Sequence, residues 1–92
     1  MMRYWVYPNP IQGTSGCLIV PQDTPIDKLP GNIQGRFTGA KLGRTIELDP
    51  KAKYPGLQVS EALRDIAQKG YHIVGIPVRI MEQWPGKPAA AD

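Results

Sequence analysis

The sequence predicts a small α+β domain, a two-layer α/β sandwich with helices on a sheet of about four strands. The chain has 92 residues, which suits one domain and is too short for two lobes around a deep cleft. Short apolar or alternating runs end at prolines, as strands often do, and one longer segment carries an apolar stripe with helical spacing. The element order is β-β-α-β-α-β with a possible C-terminal helical turn.

The first two strands are predicted near the N-terminus. Residues 3–7 (RYWVY) are aromatic and β-branched and run into Pro8, and residues 17–20 (CLIV) are a continuous apolar run closed by Pro21. Both compositions favour strands, and proline ends a strand because it lacks the N–H that a ladder needs. The turn-rich residues between the two runs indicate a hairpin with a long loop.

The next segment predicts a short, weak helix. Residues 24–27 (TPID) form a favourable helix start, but Pro30 prevents a straight continuation, so the helix is expected to begin again at Pro30. Glycines at every fourth position weaken it by roughly 1 kcal/mol each. The apolar side chains expected on its buried face are Leu29, Ile33 and Phe37.

A third strand and the clearest helix follow. Residues 44–49 (RTIELD) alternate between apolar and polar side chains, as in a strand with one buried face, and Pro50 ends the run. Residues 57–69 (LQVSEALRDIAQK) carry one apolar stripe and are followed by Gly70. This pattern predicts an amphipathic helix that closes with Gly70 in the left-handed region.

A last strand and a C-terminal helical turn complete the predicted sandwich. Residues 71–76 (YHIVGI) are apolar without alternation, which favours a strand near the middle of a sheet covered on both faces. Beyond Pro77, apolar side chains three and four residues apart predict a short helix. We expect one domain over residues 1–84 and a disordered tail over residues 85–92.

Composition restricts the compartment. The formal net charge is +3, a weak basic bias. Cys17 is the single cysteine, so no intrachain disulfide can form, which favours a reducing compartment. The N-terminal residues lack the apolar stretch of a signal peptide, and no run approaches the ~18 apolar residues of a membrane span. We expect a cytoplasmic protein without membrane contact.

Three segments in a fixed order resemble the YcgL-type family of small uncharacterised bacterial proteins. They are LPGNIQGRF, TIELDP and ALRDIAQKGYHIVGIP, which together span residues 29–77, and the aromatic first strand also fits the start of that family. Where the family tends to have acidic residues after the helix-starting proline, this chain has Gly31 and Asn32. The resemblance implies an α/β sandwich in a bacterial cytoplasm and brings no catalytic residues to this chain.

Few residues suggest catalysis. Cys17 and His72 would form a thiolate pair if their strands met, but a buried structural cysteine and an exposed strand histidine are favoured. Glu47 and Asp49 lie about 7 Å apart on one strand face, where solvation keeps both carboxylates ionised. Residues 39–45 (GAKLGRT) differ from a phosphate loop in glycine spacing and open a strand rather than a helix. We expect no catalytic, cofactor-binding or metal-binding residues.

Cations gather in one segment of the chain. Between residues 36 and 53, five Lys and Arg residues stand against two acidic residues. Together with the aromatic first strand they could form a platform for single-stranded nucleic acid, with bases stacked on the rings and phosphates on the cations. Aromatic residues on a terminal strand more often belong to a core, so nucleic-acid binding is the alternative function. It would use Tyr4, Trp5, Tyr7, Arg36, Lys41 and Arg44.

The leading hypothesis is a small binding module, not an enzyme, that contacts a protein partner or a second copy of itself. It rests on the apolar residues after Pro77, which the sandwich does not clearly need. We expect this segment to dock on the sheet and leave Trp84 partly exposed to a partner. Met81 and Trp84 are therefore the candidate interface residues. A small enzyme ranks third.

Overall fold

The computed structural model describes residues 3–10, 16–76 and 78–88. The strands in these ranges are β1 (Arg3–Pro8), β2 (Cys17–Pro21), β3 (Arg44–Glu47), β4 (His72–Val74) and β5 (Lys87–Pro88). The helical elements are a 3-10 turn (Ile26–Lys28), α1 (Gly31–Arg36), α2 (Val59–Lys69) and α3 (Val78–Met81). No helix in this part of the chain is long and apolar enough to cross a membrane.

The strands form one antiparallel sheet in the order β4-β2-β1-β3-β5. β1 and β2 are the predicted hairpin, with Trp5 opposite Val20. β1 also pairs with β3, where Trp5 lies opposite Thr45. Helix α2 packs against β2 and β4. The α+β class is therefore confirmed, and β5 adds a short strand to the four expected.

Strand β4 lies at an edge of the sheet, whereas its sequence pattern predicts a central strand. β3 takes the free side of β1, which leaves β4 on the outer side of β2. The side chains of β4 nevertheless pack on both faces, because Val74 contacts the cluster beneath α2 and Ile73 contacts the cluster beneath α1. The continuous apolar run reflects this two-sided burial, which an edge strand also has when helices cover both faces of the sheet.

Apolar side chains fill both faces of the sheet, because β1 and β2 are apolar at odd and even positions alike. Helix α2 covers one face, the α2 face, and the shorter α1 covers the other, the α1 face. The fold therefore has three layers, α2, the sheet and the short α1, where the sequence predicts two. The α2 face buries Tyr4, Val6, Cys17, Ile19, Ile46, Leu48, Tyr54, Ala62, Val74, Ile76, Met81 and Trp84. The α1 face buries Tyr7, Leu18, Val20, Leu29, Ile33 and Phe37.

Helix α2 closes as predicted. Gly70 follows its last residue with φ +88°, and the Gly70 N–H donates to the carbonyl of Ile66 at 2.9 Å. Glycine reaches this left-handed conformation without the steric clash that a Cβ would cause. The tight turn lets the chain enter β4 two residues later, so α2 packs against the strand that follows it.

The fold extends past the predicted domain end at residue 84. The short C-terminal helix is confirmed as α3, and residues 87–88 pair with β3. Gly86 has φ +140°, and a Cβ on it would collide with the carbonyl oxygen of Thr45. A glycine is therefore needed for the chain to approach β3 this closely. Residues 89–92 of the predicted tail lie outside the described residues.

Candidate functional site

Met81 and Trp84, the two residues expected at an interface, belong to the protein's own core. They are 2% and 1% exposed. The indole Nε1–H of Trp84 donates to the carbonyl of Pro55 at 2.8 Å, and the ring meets Tyr54 edge to face with centroids 6.2 Å apart. The expected partial exposure of Trp84 is therefore wrong, because the segment after β4 folds back over the α2 face, where the indole finds both packing and a polar partner.

The three aromatic residues of the alternative nucleic-acid platform do not share a surface. Alternation along β1 directs Tyr4 to the α2 face and both Trp5 and Tyr7 to the α1 face. Tyr4 and Tyr7 are buried, whereas Trp5 is half-buried. A nucleic-acid base could therefore reach one of the three rings.

The three cations of that platform are also separated. Arg36 ends α1 and Lys41 follows it in a loop, and both are exposed. Arg44 is instead bound to the C-terminal segment: its Nε and Nη2 donate to the carbonyl of Trp84 at 3.1 and 2.7 Å, and Nη2 also reaches the carbonyl of Gly86 at 3.3 Å. Arg44 therefore fastens the chain near β5 and does not offer a free guanidinium to phosphate.

Cys17 and His72 lie on neighbouring strands and on the same face of the sheet. Cys17 is opposite Val74, and His72 is opposite Ile19, so the two residues are one diagonal step apart in the ladder. Burial raises the pKa of the Cys17 thiol to about 11. The thiol is therefore protonated at neutral pH and lacks the thiolate character of a nucleophile. The strands meet as the pair requires, but the sulfur is not activated.

His72 is buried and paired, and not the exposed strand residue that the sequence predicts. Its Nδ1 lies 2.9 Å from Oδ2 of Asp65 on α2, and His72 is 9% exposed. This hydrogen bond is the main cause that lowers the pKa of the Asp65 carboxyl, and the positive charge of Lys69 lowers it further. The sequence-based prediction missed Asp65. Asp65 lies one turn before the end of α2, and α2 leads directly into β4, so its position in the sequence could have indicated that it lies near His72.

The two carboxylates near the end of β3 have different surroundings. β3 ends at Glu47, which is exposed. Asp49 Oδ1 accepts a hydrogen bond from the N–H of Lys51 at 2.9 Å and so closes a turn. Across the described residues, no group of three His, Cys, Asp or Glu side chains could hold a metal ion.

A shallow groove of about 480 Å³ lies between the segment that follows β3 and the start of α2. The ionisable side chains that line it within the described ranges are Lys53 and Tyr54. The Tyr54 hydroxyl donates to the carbonyl of Glu47 and accepts from the N–H of Asp49 at 3.2 Å, so the backbone holds it in place. The described residues that line the groove therefore place Lys53 beside a hydroxyl whose hydrogen bonds are made to the backbone.

Partly buried apolar side chains pack against the cluster on the α1 face and form the candidate binding surface. Helix α1 has six residues and is therefore about 9 Å long, so it covers only part of the α1 face. A Cβ on its Gly31 or Gly35 would meet open space, so both glycines face outward. The Trp5 ring meets Tyr7 edge to face with centroids 6.3 Å apart. The α1-face rim consists of Trp5, Ile26, Ala40, Leu42, Tyr71 and Ile73.

Comparison of the chain with models of protein families, with curated proteins and with solved structures finds no match. The resemblance of residues 29–77 to the YcgL-type family therefore stays a prediction. The candidate site rests on the packing and charge of this chain's own residues.

Proposed function

We propose that the protein is a small binding module that contacts a protein partner or a second copy of itself through the α1-face rim, without catalysing a reaction. The observation that carries this proposal is the set of partly buried apolar side chains on the face of the sheet that the short helix α1 covers. Partly exposed apolar side chains on one face of a small domain are typical of places that another surface covers. Trp5 is the expected anchor, because tryptophan is enriched among the residues that dominate binding energy.

The state of the ionisable groups favours binding over catalysis. Burial raises the pKa of the Cys17 thiol to about 11, and His72 is engaged with Asp65. Catalysis in a small domain needs an activated group that opens onto a cleft. Among the described residues that line the shallow groove beside α2, Lys53 and Tyr54 are ionisable and neither a carboxylate nor a histidine is present.

The proposed compartment is a bacterial cytoplasm. Cys17 is a free, buried thiol, which suits reducing conditions. The resemblance to the YcgL-type family supports the same compartment. Fractionation of the source cell, followed by detection of the protein, tests this assignment.

Proximity labelling in the native cell tests the binding function. The Trp5→Ala variant should lose the proteins that the wild type labels, because the anchor of the rim is gone. Gln68→Ala changes an exposed residue of α2 and is the matched control. Equal labelling by the wild type and Trp5→Ala, with both proteins folded, would contradict the proposed site.

The two tryptophans provide a second readout with purified protein. Trp84 is buried and Trp5 is half-buried, so iodide should quench mainly the fluorescence of Trp5. A partner identified by labelling should protect Trp5 from iodide when it binds. Unchanged quenching in the saturated complex would place the contact away from the rim.

Binding of single-stranded nucleic acid remains the alternative, because three of its six predicted residues are exposed or half-buried on the α1 side of the sheet, where a fourth, Tyr7, is buried. Trp5 belongs to the α1-face rim, Arg36 ends α1, and Lys41 lies between two rim residues. Titration with a labelled oligonucleotide at two salt concentrations separates the hypotheses. Affinity that falls steeply with salt indicates phosphate contacts, whereas no binding at low salt leaves the protein-binding function.

A further inference from the structure

Hydrogen bonds beside β2 determine which backbone groups of β4 face out of the sheet. On the β1 side of β2, the N–H of Asn9 donates to the carbonyl of Gly16 and the N–H of Gln22 donates to the carbonyl of Arg3. Successive residues of an antiparallel strand direct their N–H and C=O groups to alternate sides, so Cys17 and Ile19 face β4. Their partners Val74 and His72 therefore face β2, and Ile73 directs its N–H and C=O away from the sheet.

The outward edge of β4 is open within the described residues. Ile73 lies opposite Leu18 with its N–H and C=O directed away from β2, and no other strand of the described sheet lies on that side of β4. Gly75 has the same parity and is exposed, and a Cβ built on it would meet nothing within 4 Å. Edge strands are commonly protected by lysine or proline, and residues 72–75 (HIVG) contain neither. This edge can accept another strand.

We propose that the β4 edges of two copies of this chain pair in antiparallel fashion around a two-fold axis at Ile73. The N–H and C=O of Ile73 would bond to the same groups of Ile73 in the second copy, and Tyr71 would lie opposite Gly75 of the second copy. The two sheets would then form one continuous sheet. This inference rests on the proposed binding function and assigns a second copy of the chain to the end of the rim that contains Tyr71 and Ile73.

The side chains favour a second copy over an unrelated strand. Tyr71, Ile73 and Gly75 alternate onto the same face of β4. In the proposed register each Tyr71 ring would cover a glycine of the other copy, where the structure leaves open space. Aromatic side chains stabilise an edge glycine on a neighbouring strand in this way. The two Tyr71–Gly75 pairs on either side of the axis are identical by symmetry, so the same chain provides both the aromatic ring and the glycine that the ring covers.

Charge and size indicate a weak dimer. Each copy carries a net charge of +3, but residues 70–76 contain no Lys, Arg, Asp or Glu, so the copies would meet at an uncharged edge. The register allows about six backbone hydrogen bonds between the strands. Such a short strand buries less than the ~1,600 Å² of a standard interface. We expect dimers that form in the micromolar range and dissociate on dilution.

Sedimentation of the full chain over a series of concentrations tests the pairing. The wild type should shift from monomer to dimer, and Gly75→Lys should weaken dimerisation by about tenfold or more, because a lysine at this edge opposes strand addition. Gln83→Lys adds the same side chain at an exposed position after α3 and should dimerise like the wild type. A monomeric wild type at every concentration, or equal dimerisation of both variants, would overturn the proposal.

A mixing experiment tests the register. Tyr71→Glu in one copy and Gly75→Lys in the other would place opposite charges across the proposed axis, so their mixture should form heterodimers tighter than either homodimer. Heterodimers no tighter than the homodimers would refute this register. Circular dichroism confirms that each variant is folded. If the wild type stays monomeric while Trp5→Ala still loses a labelled partner, the pairing fails and the proposed binding function stands.

Discussion

Trp84→Phe tests whether the C-terminal segment belongs to the core. The substitution removes the N–H that Trp84 donates to the carbonyl of Pro55 at 2.8 Å and reduces a ring that is 1% exposed. Leaving that acceptor without its donor destabilises the fold by about 1–2 kcal/mol, and the smaller ring in the same space adds about 1 kcal/mol. We therefore expect a loss of about 2–3 kcal/mol, which lowers the Tm of a domain this size by roughly 10 °C or more.

Urea unfolding followed by circular dichroism measures this loss. Trp5→Phe is the matched control, because it makes the same change in a half-buried ring on the α1 face and should cost less than about 1 kcal/mol. Sedimentation of both variants reports their mass. Equal losses for the two variants would refute the placement of Trp84 in the core. If Trp84→Phe changes the sedimentation mass without lowering the free energy of unfolding, Trp84 lies at an interface between copies and not in the core.

Three other sites have separable effects. Gly86→Ala should lower the free energy of unfolding by about 1–3 kcal/mol, because residue 86 has a positive φ and its new Cβ would collide with Thr45. Gly31→Ala is the control and should not lower the free energy of unfolding, because its Cβ would meet open space. The Cys17 thiol should label slowly in the native protein and rapidly in urea. Its pKa rises from 9.0 to about 11 on folding, so stability should fall as pH rises between these values, and less so in Cys17→Ala. Because folding lowers the pKa of the Asp65 carboxyl, this group stabilises the fold above pH 3.8, and the stabilisation is lost on acidification. The urea midpoint should therefore fall more steeply with decreasing pH in the wild type than in Asp65→Asn. Equal slopes would contradict the role of the hydrogen bond to His72.

Local pattern was sufficient to predict most elements. Alternation in residues 44–49 and the aromatic run in residues 3–7 identify β3 and β1, because a strand shows its buried face every second residue. The apolar stripe of α2 and the glycine at position 70 fix that helix and its end. Each of these patterns involves residues that are close together in the chain, so it can be recognised from the sequence alone.

Relations between distant elements could not be predicted in the same way. The edge position of β4 depends on which side of the hairpin β3 occupies, and no residue of β4 encodes that choice. The burial of Trp84 depends on the carbonyl of Pro55, which lies 29 residues away in the chain. The α1-face rim includes Ile26 and Leu42 from connecting segments without periodicity. Composition alone gave no reason to place these residues beside Trp5.

The thin cover of the α1 face leads to one more prediction. A Cβ at Gly35 would meet open space, and the φ of Gly35 is outside the left-handed region, so alanine fits there. Alanine stabilises a helix interior by about 1 kcal/mol relative to glycine. Helix α1 is therefore less stable with Gly35 than it would be with alanine at this position. If the loose helix helps the rim adapt to a partner, Gly35→Ala should raise the Tm by about 4–8 °C and weaken partner labelling.

Gln68→Ala separates adaptation of the rim from a general effect of stability. It also introduces alanine at an exposed helical position, but in α2, and should raise the Tm slightly without a change in labelling. Thermal melting and proximity labelling of both variants complete the comparison. A higher Tm with undiminished labelling in Gly35→Ala would show that the rim binds without help from a loose α1. In that case the two glycines of α1 would serve only to let the helix start and end within six residues of Pro30.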